Sequence, residues 1–128
     1  MDKQIKVLLV DDEEDFRKLL GFWLNAKGYA VVTASNGQEA VGIVAAEKPD
    51  IIFMDLNMPV MDGVESTKKI REFNKDVPII IISAFMDDRK AKDVMSWGIS
   101  GVFYKGKDFQ EGLQLLETAL RTHKQLKK

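Results

Sequence analysis

Five side chains along this chain could do phosphate chemistry together: Asp11, Asp12, Asp55, Ser83 and Lys105. Three carboxylates are costly to hold close unless a cation or a proton intervenes. The chain has no cysteine and no suitably placed histidine, so a hard, oxygen-bound cation is the natural occupant. Mg2+ suits the set, because it takes one or two carboxylates plus a phosphate and keeps several waters. Asp55 is the candidate nucleophile, since a carboxylate can attack a phosphoryl donor and form an acyl phosphate. Phosphoryl transfer needs mainly positioning and charge neutralisation, which Lys105 as cation and Ser83 as hydrogen-bond donor can supply. Taken singly, Ser83 is an ordinary turn residue and Lys105 a surface charge. Glu14 and Asp15 are read as acids that complement a helix N-terminus.

Each of these residues stands just past a short apolar run: Val7–Val10, Ile51–Met54, Ile79–Ile82 and Val102–Tyr104. Such runs, alternating with helical patterns, read as buried parallel strands covered by helices on both faces. Strands in such a sheet point the same way, and ligands bind outside their carboxyl ends. Strands three and five would lie about 10 Å apart with strand four between them, a gap that a lysine largely spans.

The expected strands are Lys6–Val10, Ala30–Ala34, Asp50–Met54, Ile79–Ile82 and Gly101–Tyr104. Helix one places Phe16, Leu19, Leu20, Trp23 and Leu24 on one face and stops at Gly28. Asn36 with Glu39, Asp62 with Glu65 and Asp108 with Glu111 are capping-box patterns opening helices two, three and five. Their inner faces are Ala40, Val41, Ile43 and Val44; Val64, Thr67, Ile70 and Phe73; and Leu113, Leu116 and Leu120. A shorter helix four covers Asp88–Trp97, before Gly98. Trp97 reads as core, and Met58 and Met61 as packing residues. His123 reads as a solvated member of a basic tail.

At 128 residues the chain fits one domain, residues 1–128, with a core of about 3–125 and a basic tail at 126–128. A composition of 45% hydrophobic and 30% charged residues is that of a globular protein. A net charge of −1 provides no field favouring nucleic acid or an anionic membrane. Without cysteine, disulfide scaffolds and cysteine nucleophiles are excluded. No apolar stretch approaches the roughly 20 residues of a membrane span, and a cytoplasmic location is expected.

The most specific string is Asp55-Leu56-Asn57-Met58-Pro59-Val60-Met61-Asp62-Gly63. It resembles the signature D-x-N-M-P-x-M-D-G around the phosphorylated aspartate of two-component response regulator receiver domains. The acidic pair, the Ser83–Ala84 step and Lys105 occur in the matching order, and the resemblance covers Lys3–Gln125. It implies a flavodoxin-like α/β fold, a five-stranded parallel sheet of order 2-1-3-4-5. By position it makes Asp55 the phosphoacceptor and Asp12 a direct Mg2+ ligand, with Asp11 acting largely through a metal-bound water. Asn57 would lend its backbone carbonyl to the metal. Ser83 would bind the phosphoryl group, Lys105 would pair with it, and Ala84 would leave room for it.

The resemblance further implies a histidine kinase or phosphotransfer protein as donor. A downstream protein or output domain would meet the face formed by helix four, strand five and helix five. Such a domain is a signalling switch rather than an enzyme. Two positions depart from the pattern. Val102 stands where an aromatic residue often sits, and Gly106 where proline commonly follows the lysine. Val102 and Gly106 are the only support for an alternative, a phosphorylation-independent interaction module. A Mg2+ phosphatase with an aspartyl nucleophile is disfavoured, because Asp55 is followed by Leu56-Asn57, where such enzymes carry a second aspartate two positions on, and no cap domain is expected.

Overall fold

The computed structural model describes residues 4–84 and 89–127, apart from the side chains of residues 91 and 123–127. The expected helix start at Asp88 and the side chains of His123 and the basic tail lie outside the described residues. Five strands alternate with five helices: β1 Lys6–Val10, α1 Glu14–Ala26, β2 Ala30–Ala34, α2 Gly37–Glu47, β3 Ile51–Asp55, α3 Gly63–Phe73, β4 Ile79–Ser83, α4 Arg89–Met95, β5 Gly101–Tyr104 and α5 Phe109–Lys127. The strands form one parallel sheet in the order β2-β1-β3-β4-β5, the flavodoxin-like arrangement. Among the described residues, no helix is long and apolar enough to cross a membrane.

The central strands β3 and β4 are buried at every position, because helices cover both of their faces. Alternation along the strands divides the core in two. One face packs Leu8, Val10, Ile52, Met54, Ile79 and Ile81 with Ala40 and Val44 of α2 and Ile70 of α3. The other packs Val7, Leu9, Ile51, Phe53, Ile80, Ile82 and Phe103 with Leu20 and Leu24 of α1 and Leu116 of α5. A fully buried side chain of this size contributes about 1.5–3 kcal/mol. Val102 packs on the first face and Phe103 on the second, beside an aromatic cluster in which Phe109 meets Phe16 and Trp23 edge-on.

Two strands run one residue past their expected ends. Asp55 pairs in register with Ile82, and Ser83 with Tyr104, so both close their strands instead of opening loops. Strand three correspondingly begins at Ile51 rather than Asp50, whose carboxylate accepts the Lys6 N–H at 2.8 Å. Leu19 and Phe73 depart from the expected inner faces and are 62% and 50% exposed. Leu19 flanks the buried line through Leu20 and Leu24, and Phe73 is the last residue of α3. Trp97 is half-buried, with the Lys68 ammonium 5.9 Å from its ring centre, rather than core.

Gly28 takes φ +100° after α1, as its C′ place demands. Asn36 and Asp62 cap α2 and α3, accepting the backbone N–H of Glu39 and Glu65 at 2.9 and 3.0 Å. The return arm of the first box is displaced, since Glu39 accepts from Ser35 instead of Asn36. The Asp108 side chain accepts from the Gln110 N–H at 2.9 Å, while the Glu111 N–H goes to the Asp108 carbonyl, also at 2.9 Å.

At the amino edge of the sheet Arg71 is buried near the starts of β4 and β5. Its guanidinium donates to the carbonyls of Trp97 (2.7 Å), Asn74 (3.1 Å) and Gly98 (3.0 Å), tying the segment after α4 to the end of α3.

Candidate functional site

At the carboxyl edge, the ends of β1, β3, β4 and β5 deliver the functional groups. Asp11 follows β1 directly, its N–H donating to Ala34 O across the sheet at 3.1 Å. Its Oδ1 accepts the Glu13 N–H at 2.8 Å, and its carbonyl accepts from Arg17 Nη1 at 2.6 Å. The turn into α1 is therefore wound around the Asp11 side chain. Asp55 ends β3, with its Oδ1 taking the Asn57 N–H at 3.1 Å. Gly63 crosses close behind: a Cβ there would lie 2.3 Å from Asp55 O, so only glycine fits. Ser83 ends β4, fully buried, and its carbonyl accepts the Lys105 N–H at 2.8 Å. That bond fixes the root of the lysine side chain beyond β5. The peptide after Lys105 is trans, and Gly106 takes φ +92°.

The expected residues converge. Asp11, Asp12 and Asp55 each offer an oxygen, all within 4.8 Å of one another. Lys105 Nζ lies 3.0 Å from Asp11 Oδ2 and 3.8 Å from Asp55 Oδ2. Asp11 and Asp55 are buried, and Asp12 is exposed at the mouth. Asn57 is exposed beside Asp55, and Met58 is buried in the aliphatic core, as a packing residue. Ala84 is exposed next to Ser83.

Glu13 is the participant that sequence reading missed. Its carboxylate pairs with Lys105, and Phe16, one turn on, sets its ring 4.8 Å from the same ammonium. A run of acids at a helix N-terminus has a sufficient local explanation, which conceals a partner this distant along the chain. Glu14 keeps the local role, in an exposed pair with Lys18 at 2.8 Å.

Burial raises the Asp11 carboxyl above the usual carboxylate range, offset only in part by the Glu13 N–H and by Lys105. Asp55 is pushed up to about 7, by burial first and then by the charge of Asp11, with Asp12 adding to the rise. Lys105 and the Asn57 N–H counter only part of that. Burial works against the Lys105 ammonium, but its bonds to Glu13 and Asp11 and the charge of Asp55 hold its pKa above the ordinary value.

Asp55 Oδ2 is buried with no hydrogen-bond donor among the described residues, and Asp11 Oδ2 has only the Lys105 ammonium, 3.0 Å away. A donor-less carboxylate oxygen beside two further carboxylates, with no thiolate or imidazole nearby among the described residues, fits a hard divalent cation. The cluster could hold Mg2+.

Most of the chain is similar to known proteins. The response regulator receiver domain family matches residues 7–117. Sporulation initiation phosphotransferase F of Bacillus subtilis is 33% identical over 83% of this chain and 86% of its own length. The alkaline phosphatase synthesis transcriptional regulatory protein PhoP of Bacillus subtilis is 43% identical over 62% of the chain. The probable transcriptional regulator ycf27 of Guillardia theta is 44% identical over 68%. The chain spans about a third of the length of these last two, 33% and 34%. Among solved structures, Vibrio cholerae chemotaxis protein CheY4 superposes with a TM-score of 0.86 at 31% identity, covering 91% of this chain and 99% of that one. Receiver domains are signalling switches of two-component systems, and this chain belongs to the response regulator receiver domain family.

Proposed function

We propose that this domain is a phosphoacceptor switch, with Asp55 taking a phosphoryl group from a histidine kinase or phosphotransfer protein. The observation that carries the reading is the Asp55 carboxylate itself. It is buried, carries an orphaned Oδ2, and lies between two further carboxylates and an ammonium. In the transfer an Asp55 oxygen attacks phosphorus, and an O–P bond forms as the P–N bond of a phosphohistidine breaks. The electron pair leaves with the imidazole, which regains its proton from solvent.

Asp11, Asp12, Asp55 and the Asn57 backbone carbonyl would hold Mg2+. The chemistry that ion supplies when bound is charge neutralisation and orientation of phosphoryl oxygens. Ser83 hydrogen-bonds a phosphoryl oxygen, and Lys105 pairs with the new charge of about −2. Loading then alters the face of α4, β5 and α5, where a groove lined by Val102, Tyr104, Lys107, Glu111 and Leu115 would meet a downstream protein or output domain. In this reading residues 1–128 form one receiver unit of the cytoplasm, without direct contact to nucleic acid and without turnover of an external substrate.

The test is incubation with Mg2+ and acetyl phosphate, followed by intact mass measurement. One phosphoryl adduct is expected on the native chain and none on Asp55→Asn. No adduct, or one retained in Asp55→Asn, overturns the assignment. Val102 in the usual aromatic place favours the second reading, an interaction module that works without phosphate. That reading gains if Asp55→Asn leaves partner capture unchanged with and without donor.

A further inference from the structure

Lys105 is held from the α1 side by three groups: Asp11, the Glu13 carboxylate and the Phe16 ring. Asp11 is buried and cannot leave, whereas the Glu13 side chain is 62% exposed and can swing into water at little cost. Glu13 is also the N-cap residue of α1, where a side chain ordinarily accepts a helix N–H. Its carboxylate makes no such bond. Its backbone N–H is fixed on Asp11 Oδ1 at 2.8 Å and its carbonyl on the Arg17 N–H at 3.0 Å, so α1 holds the residue beside the lysine. The ammonium meanwhile stops 3.8 Å from Asp55 Oδ2, beyond hydrogen-bond length.

We infer that Glu13 is the resting-state anchor of Lys105, a positioning residue whose carboxylate competes with a phosphoryl group on Asp55 for the same ammonium. The inference rests on the phosphoacceptor reading and adds a residue that sets its equilibrium. Asp11 keeps its hold in either state. Glu13 is the partner that lets go, and loading the site must displace it. Removing Glu13 should therefore favour the loaded state by the worth of one exposed ion pair, about two- to fivefold in affinity.

The test measures binding of beryllofluoride, a phosphoryl mimic, with Mg2+ to the native chain, Glu13→Gln and Glu13→Ala, each with and without Lys105→Met. Both Glu13 variants should bind about two- to fivefold tighter when Lys105 is present, and no tighter than their parent in Lys105→Met. In parallel, the lysine-ammonium NMR signal of Lys105 is followed in metal-free protein without the mimic. It should broaden through faster exchange with water in both Glu13 variants.

An equal gain in both backgrounds would mean that Glu13 merely repels the anion, and would overturn the inference. So would unchanged or weaker binding with Lys105 present. If Lys105→Met binds too weakly to compare, the ammonium signal decides, and an unaltered signal overturns the inference. Failure of the native chain to bind the mimic would instead strike the phosphoacceptor reading. The ammonium signal would still decide whether Glu13 holds Lys105.

Discussion

Both edges of the sheet bury charge, and they treat it in opposite ways. At the amino edge, Arg71 spends three of its five N–H donors on the carbonyls of Trp97, Asn74 and Gly98. At the carboxyl edge, Asp55 keeps a buried oxygen without a donor, and one ammonium serves three carboxylates. A buried charge given enough hydrogen bonds acts as a joint. One left short of partners has been kept for something that arrives later. Thr67 Oγ1 on α3 is also orphaned, and nothing in the structure explains it.

If that contrast is right, removing the two kinds of charge should change stability in opposite directions. Arg71→Met leaves three carbonyls unpaired and should cost about 3–4 kcal/mol in urea unfolding. A cost below about 1 kcal/mol would erase the distinction between the edges. Asp55→Asn should do the reverse in metal-free protein. The folded-state pKa of about 7 lies above the ordinary 3.8, so between those values the folded chain binds more protons than the unfolded one. The stability this proton confers is complete below about pH 4 and is lost as pH rises through about 7. At pH about 8 the variant should be more stable than the native chain by up to about 4 kcal/mol, and near pH 4 no more stable.

Mg2+ sharpens the same comparison. At about tenfold its dissociation constant it should stabilise the native chain by roughly 1.4 kcal/mol, read as a shift in the urea midpoint. Asp55→Asn should respond less, and Arg71→Met as the native chain does. The smallest expected effect is none: the deficit of Arg71→Met should be the same at pH about 5 and about 8. The edges share no residue, and their effects should add to within about 0.5 kcal/mol in the double variant.

The order of elements and the convergence of the site were legible because buried parallel strands are unbroken apolar runs, and Asp11, Asp55, Ser83 and Lys105 sit at or just beyond their ends. The misplaced strand ends have a physical reason. An aspartate and a serine look like loop residues, yet the ladder continues through Asp55 and Ser83 because backbone pairing is indifferent to their side chains. Leu19 and Phe73 fit the helical period but lie outside the stripe the sheet covers, and periodicity does not report a stripe's width. Glu13 was illegible for another reason. Its partner Lys105 is 92 residues away, and adjacent acids at a helix start already had a local account.

Arg71 has one more consequence, for how the molecule takes in information. Its guanidinium keeps its charge throughout the range in which Asp55 gains or loses a proton, although burial lowers its pKa somewhat. One end of the sheet is thus written in erasable charge and the other in permanent charge. Acidity, metal and phosphate can all address the first end. The grip on the segment after α4 is deaf to them, giving the domain a fixed frame of reference against which the other end can be read.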